Sequence, residues 1–302
     1  MQGRILSCLA GVYRVECEKG ILECSAKGVF RNDKTDLAAG DFVQVTEDEK
    51  DSAKGVIVRV FERKNRLVRP DVANVDVLFI VFALKDPVPN LLSIDKLTSV
   101  AEHNNIKAHI VFNKSDLVSK EERDNLVSIY ENCGYTVHTF SALANAEEIV
   151  KTLSEIAENN TCVFTGPSGV GKSTIINALY PDKAPLETGR VSEKTRRGRH
   201  TTRATVLYKA REGKSGYLVD TPGFSLLDFE RFRFMKKEEL VYSFPEYAPF
   251  ATLCKYRKCT HTKEEGCAIL EKVNSGELPL SRHESYIALW NDLKNHHDWE
   301  EK

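Results

Sequence analysis

Residues 166–174, GPSGVGKST, have the clearest chemistry in the chain; they follow the apolar run TCVFT and open the segment STIINALY. That strand, loop and helix setting is what a phosphate loop requires. Thr165 ends the strand, and Gly166, Pro167 and Ser168 enter the loop. Backbone N–H groups of Gly169, Val170, Gly171 and Lys172 can point inward at phosphate oxygens, because glycines let the main chain come close. The start of the following helix adds a favourable dipole. Lys172 would neutralise the β- and γ-phosphates, and the Ser173 hydroxyl, with Thr174 behind it, would ligate Mg²⁺.

Such a loop does not choose between ATP and GTP. Asn113, Lys114, Ser115 and Asp116 (NKSD) make that choice from the end of the run KAHIVF, where open α/β sheets place ligand contacts. The Asp116 carboxylate can accept hydrogen bonds from both guanine N1–H and the 2-amino group, a donor pair that adenine lacks. Asn113 can hold the neighbouring loop, and the Lys114 stem can lie over the base. Ser141 and Ala142, after YTVHTF, match a second guanine loop whose backbone N–H meets the base oxygen.

Asp220 opens DTPG at 220–223; it would reach Mg²⁺ through water, while the Gly223 N–H would sense the γ-phosphate. The polar stretch GRVSEKTRRGRHTTR precedes it and reads as a switch, with Thr202 (or Thr201) closing over Mg²⁺. Phe224 stands where many GTPases carry a water-orienting glutamine. A phenyl ring cannot hydrogen-bond water, so unaided hydrolysis should be slow. His200 is a candidate for the missing group; contact with RNA, or simple packing, is its other reading. Arg190, Lys194, Arg196, Arg197, Arg199 and Arg203 give this switch a basic run, suited either to a solvated face or to rRNA phosphates.

Cys254, Cys259, His261 and Cys267 (CKYRKCTHTKEEGC) offer three thiolates and an imidazole, a closed tetrahedral set for one structural Zn²⁺. Cys8, Cys17, Cys24, Cys133 and Cys162 read as small core residues.

Three regions must position these groups. Residues 1–64 show short alternating apolar runs with glycine punctuation, the pattern of a small OB-like β-barrel. Residues 65–228 alternate buried strands (VDVLFIVFAL, KAHIVFNK, TCVFTG, GYLVDT) with helical stretches, which gives a mostly parallel α/β sheet. Residues 229–302 are helix-prone and hold the cysteine cluster; in SRHESYIALWNDLKNHHDW, Tyr286, Leu289, Trp290 and Leu293 share an apolar face. Arg63, Lys64, Arg66 and Arg69 form a second basic patch at the first boundary. A net charge of -1 excludes a protein that coats nucleic acid by bulk charge, so any RNA contact must be local. The longest apolar run, VLFIVFAL, is too short to span a bilayer, and the N-terminus lacks a secretory pattern, so a cytosolic compartment with reduced thiols is expected.

The order of the motifs is unusual. NKSD and Ser141-Ala142 precede the phosphate loop, and DTPG comes last, so the nucleotide domain is circularly permuted. A barrel-like start, a permuted domain with NKSD, GPSGVGKST, GRHTT and DTPGF, and a C-x4-C-x-H-x5-C cluster together resemble the ribosome small-subunit-dependent GTPase A family. The resemblance spans nearly the whole chain. It implies a cytoplasmic bacterial GTPase that binds GTP and GDP, docks on the 30S subunit late in its maturation and contacts 16S rRNA. It further implies an OB-fold barrel, a structural zinc, activity stimulated by the subunit, and hydrolysis linked to departure. A monomer with no membrane partner is expected. Two functional classes follow: a timed assembly enzyme, or a nucleotide-gated RNA-binding module in which hydrolysis is incidental.

Overall fold

The computed structural model describes residues 1–28, 30, 36–68, 70–142, 144, 146–179, 205–210, 213–220 and 235–294. Along the chain the strands begin with β1 Gln2–Leu9, β2 Val12–Cys17, β3 Gly20–Ala26, β4 Phe42–Glu47, β5 Lys54–Val60, β6 Arg66–Leu67, β7 Val72–Ala73 and β8 Val77–Ala83. Next come α1 Leu91–His103, β9 Lys107–Asn113, α2 Lys120–Glu131, β10 Thr136–Thr139, α3 Ala146–Ala157, β11 Thr161–Thr165 and α4 Lys172–Leu179. The chain then forms β12 Val206–Lys209, β13 Tyr217–Asp220, short 3-10 turns over 237–253, α5 Ala268–Asn274 and α6 Leu280–Lys294.

The chain divides into two compact units, neither contiguous in sequence. The first holds Met1–Val77, Glu147–Phe164 and Ser173–Phe224. Period-two alternation turns Ile5, Val15, Leu22, Cys24, Val43, Val45 and Ile57 to one buried face. That face closes on itself: β1 pairs with both β2 and β4, β2 with β3, and β3 with β5, which returns to β4. The small barrel expected from the glycine-punctuated runs is therefore present, built from five strands. Beyond it, β1 pairs with β12 (Ser7 opposite Val206), β12 with β13 antiparallel, and β13 with β11 in parallel.

The second unit holds Leu78–Ala146, Thr165–Lys172 and Ser225–Lys302. Every residue of β8 is buried, as its unbroken apolar sequence requires of a central strand. Ser119 caps α2 in a reciprocal box with Glu122, so that helix starts where its sequence says it should. The C-terminal part has its own apolar core, in which Leu240, Phe244, Tyr247, Ile269, Tyr286 and Leu289 are buried and Trp290 and Leu293 are packed against it. The apolar face expected on α6 is thus a core face.

Arg282 of α6 is completely buried. It donates to Glu246 Oε1 at 2.7 Å, to Asp95 Oδ1 of α1 at 2.7 Å and to Thr98 Oγ1 at 3.1 Å, and stacks on the Phe244 ring at 4.5 Å. Burial alone would lower its affinity for the proton, but the two carboxylates override this and hold it charged.

Two expectations need correction. Arg63 binds both oxygens of Asp41 at 2.6 and 2.7 Å, Arg66 pairs with Asp36 and Asp71 at 2.7 Å, and Lys64 meets Asp76. The second basic patch is therefore matched by acids that folding brings from elsewhere in the chain; Arg69 lies outside the described residues. Of the five cysteines read as core, Cys24, Cys133 and Cys162 are buried; Cys17 is half-buried and packs against the barrel core, and Cys8 is half-buried near the end of β1. Among the described residues, no helix is long and apolar enough to cross a membrane.

Candidate nucleotide site and metal centre

The phosphate-loop sequence leaves β11 at Thr165 and runs directly into α4 at Lys172, with Ser173 and Thr174 in that helix's first turn. Two glycines explain why larger residues are excluded. Gly166 has φ +141°, and a Cβ there would sit 1.9 Å from the Val81 carbonyl oxygen of β8. Gly171 has φ +98°, and its Cβ would meet Asn113 Nδ2 at 2.2 Å. The loop backbone thus lies directly against the ends of β8 and β9. The Lys172 ammonium donates to the carbonyls of Gly166 at 2.7 Å and Pro167 at 2.6 Å, and burial lowers it to about 8.

Asn113 is the hub of this region and is buried. Its Nδ2 donates to the Val170 carbonyl at 2.8 Å, and its Oδ1 accepts from the Ala142 N–H at 2.9 Å. One side chain thereby joins the phosphate loop, the NKSD turn and the Ser141-Ala142 loop. Main-chain bonds reinforce the join: Phe140 N–H donates to Phe112 at 2.8 Å and Ser115 N–H to Phe140 at 3.0 Å. Ser141 is buried, and its hydroxyl accepts from the Ala144 N–H at 3.3 Å. Lys114 adopts the left-handed conformation at φ +60°, and its ammonium donates to the Asp86 carbonyl. Asp116, in the 3-10 turn Ser115–Leu117, is exposed. A basic ammonium, a glycine-bent loop and an exposed carboxylate three residues beyond a rigid strand end can together receive a guanine nucleotide.

The structure thus gathers Asn113, Lys114, Ala142, Val170, Gly171 and Lys172 about one place in the second unit. Asp220 is the last residue of β13, three rungs from that strand's start. Thr202, Thr201, His200, Gly223, Phe224 and the basic switch residues lie outside the described residues. Asp86 was not anticipated, because the stretch KDPVPN carries no motif; its only signal is its place at the end of a buried strand.

The four ligands expected from the sequence do converge: one donor atom from each of Cys254, Cys259, His261 and Cys267 lies within 4.8 Å of every other. Cys254 Sγ and Cys267 Sγ are 3.9 Å apart, and His261 Nδ1 is 3.5 Å from each of them. Tetrahedral Zn²⁺ with bonds of about 2.3 Å to sulfur needs sulfurs about 3.8 Å apart. The set fits that ion and leaves no position for a substrate, so Zn²⁺ held here would cross-link the loop rather than catalyse. Burial pushes the Cys259 thiol up to about 12. A bound dication is what would stabilise such thiols as thiolates. Glu264 braces the loop, accepting from Thr260 N–H at 2.9 Å and Thr262 N–H at 3.1 Å.

Residues 60–230 match the family described as RsgA GTPase, and residues 2–57 match the RsgA N-terminal domain. The chain belongs to the RsgA GTPase family. It is 39% identical to the small ribosomal subunit biogenesis GTPase RsgA of Alkaliphilus metalliredigens, covering 97% of this chain and 98% of that relative. It is 40% identical to the protein of the same name from Clostridium perfringens strain SM101, covering 98% and 99%. Two solved structures are similar over most of their length. YjeQ from Thermotoga maritima superposes with a TM-score of 0.81 at 31% identity, covering 98% of this chain and 99% of that one. YloQ, described as a circularly permuted GTPase, gives 0.79 at 30% identity, covering 97% and 95%. The architecture is accordingly a barrel, a circularly permuted GTPase domain and a helical C-terminal region, and the activity of this RsgA-family chain is GTP hydrolysis.

Proposed function

We propose that this protein binds the 30S ribosomal subunit and assists its late maturation, with GTP hydrolysis stimulated by the subunit and coupled to release. The observation that carries the reading is the Asn113 hub: it joins a phosphate loop to two guanine-type loops in a chain that matches small-subunit biogenesis GTPases over 97–98% of its length. Asp116 selects guanine, and the Ala142 N–H meets the base oxygen. Residues 165–174 hold the phosphates, and Lys172 neutralises them. Ser173 and Thr202 ligate the Mg²⁺ that accompanies GTP, Asp220 reaches it through water, and Gly223 senses the γ-phosphate. His200 acts near the attacking water. One structural Zn²⁺ sits on the cysteine–histidine set.

The domains divide at 1–64, 65–228 and 229–302, and the protein works as a cytoplasmic monomer. Its contact with 16S rRNA runs through the basic switch at 190–203. Phe224 supplies no hydrogen bond to water, so the missing group comes from elsewhere in the chain, as His200, or from the partner.

Multiple-turnover GTP hydrolysis with purified 30S subunits, with 50S subunits and with neither tests this. Acceleration by 30S alone, weakening as salt rises, is expected because the contact is largely electrostatic. Replacing Arg196, Arg197 and Arg199 together by alanine should remove most of the stimulation and spare GTP affinity. Equal rates in all three mixtures would overturn the proposal in favour of an RNA-binding module whose hydrolysis is incidental.

A further inference from the structure

Among the described residues of the first unit, the Arg4 guanidinium is buried with no carboxylate hydrogen-bonded to it. Arg4 of β1 is 8% exposed, and its acceptors are neutral: the Gly40 and Asn74 carbonyls at 3.3 Å each and Thr161 Oγ1 at 2.8 Å. Its plane lies between two rings, 4.9 Å from the centre of Phe42 and 4.6 Å from that of Tyr217. Beside it, Glu16 of β2 accepts the Tyr217 hydroxyl and pairs with Lys209 Nζ at 3.2 Å, while Lys209 also donates to the Tyr217 oxygen at 3.1 Å. Two barrel side chains therefore grip three residues on three other strands.

Those three residues form a single rung. Thr161 of β11 stands opposite Tyr217 of β13, and Lys209 of β12 stands opposite Tyr217 from the other side. The next rungs inward, Cys162 opposite Leu218 and Val163 opposite Val219, are apolar. β11 and the described side chains of β13 are buried on both faces, so alternation alone does not fix their register; a set of directional polar contacts at one rung does. A buried charge adds little net stability, and fixing registry is its best-attested use.

From this rung each strand runs about 10–13 Å, at about 3.3 Å per residue, to a nucleotide element. β11 ends at Thr165, where the phosphate loop starts; β13 ends at Asp220; β12 begins at Val206, just after the switch segment.

We infer that Arg4 and Glu16 are positioning residues for GTP hydrolysis, fixing the register of β11, β12 and β13 at the rung opposite the nucleotide. The inference rests on the roles proposed for the phosphate loop and Asp220. Loss of GDP binding in Lys172→Ala tests the phosphate loop separately, since that residue is not part of the grip.

The decisive experiment is steady-state GTP hydrolysis by the full chain carrying Glu16→Gln, Lys209→Met or both, with fluorescent-GDP affinity measured alongside. Misplacing reacting groups by a fraction of an ångström lowers turnover without loosening ground-state binding, so kcat should fall about fivefold or more with KM within about twofold. The double variant should fall no further than the singles, because Glu16 and Lys209 act through one contact set with Tyr217. Glu16→Asp, which keeps the charge, should restore part of the rate. Tyr217→Phe removes only the hydroxyl, keeps the ring under Arg4, and should reproduce the loss if Glu16→Gln does not fold. A parental kcat in Glu16→Gln and Tyr217→Phe, a rise in KM with kcat unchanged, or independent multiplication of the two single effects would each overturn the inference.

Discussion

Around Asn113, three loops are fastened by hydrogen bonds between one amide side chain and main-chain groups, whereas from Cys254 to Cys267 a single loop brings four ligand side chains to one point. The first cluster satisfies itself: the Asn113 amide has both a donor and an acceptor partner within the protein. In the second, burial disfavours the thiolate form, and the contacts among the sulfurs and the imidazole are long, at 3.5–3.9 Å. The nucleotide region is thus held together by its own hydrogen bonds, while the cysteine loop is suited to draw its cohesion from a bound ion. That difference sets where each is vulnerable.

Chelation should break the pair apart most visibly. Apparent zinc affinities in small metal-folded domains are about 10–16 kcal/mol, and that free energy is folding free energy. Stripping the ion should therefore open the cysteine-bearing segment to protease while GTP binding survives. Metal analysis that finds no zinc in gently purified protein, or a Cys259→Ser variant as protease-resistant as the parent, would contradict this.

A smaller effect should come from Arg282→Met. The substitution leaves Asp95 and Glu246 buried without their cation, a loss of about 3–5 kcal/mol when one partner of such a pair is removed. Thermal unfolding should drop by several degrees or more even in zinc-loaded protein, which would separate this anchor from the metal. An unchanged unfolding temperature would mean that the guanidinium adds nothing to the C-terminal core.

The smallest effect concerns pH. Burial lowers free Lys172 to about 8, and phosphates beside it would raise that value in the complex. The complex then holds more protons than the free protein around and above pH 8. Nucleotide affinity should be full below about pH 8 and should weaken as pH rises through it, by at most about tenfold per pH unit for one proton. Fluorescent-GDP titrations from pH 7 to 9.5 would show the slope; a flat profile would contradict the placement of Lys172 at the phosphates.

How legible these regions are in the sequence follows from how local their causes are. The phosphate loop, the NKSD turn and the cysteine cluster each lie within one short stretch, so spacing and flanking hydrophobicity reveal them. The barrel is visible for a similar reason, since alternation within each strand dictates which face is buried. What spacing could not reveal is pairing at long range. Arg63 and Arg66 look like a basic patch until folding brings Asp41 and Asp36, 22 and 30 residues away, to them. Arg282 sits in a stretch rich in charge, and nothing near it signals that Asp95 waits 187 residues away. Arg4 and Glu16 read as ordinary strand residues, because their partners on β11, β12 and β13 lie far along the chain.

The central claim is that the cluster around Asn113 and Asp116 receives guanine, and the Asp116→Asn exchange tests it most directly. An amide in place of the carboxylate cannot accept both guanine donors, and an unpaired polar group at the base costs about 1–3 kcal/mol. Direct titration should show GTP affinity reduced about tenfold or more and xanthosine triphosphate affinity increased, since xanthine offers an acceptor where guanine has its amino group. Unchanged GTP affinity in the variant, with no gain for xanthosine triphosphate, would contradict the guanine assignment.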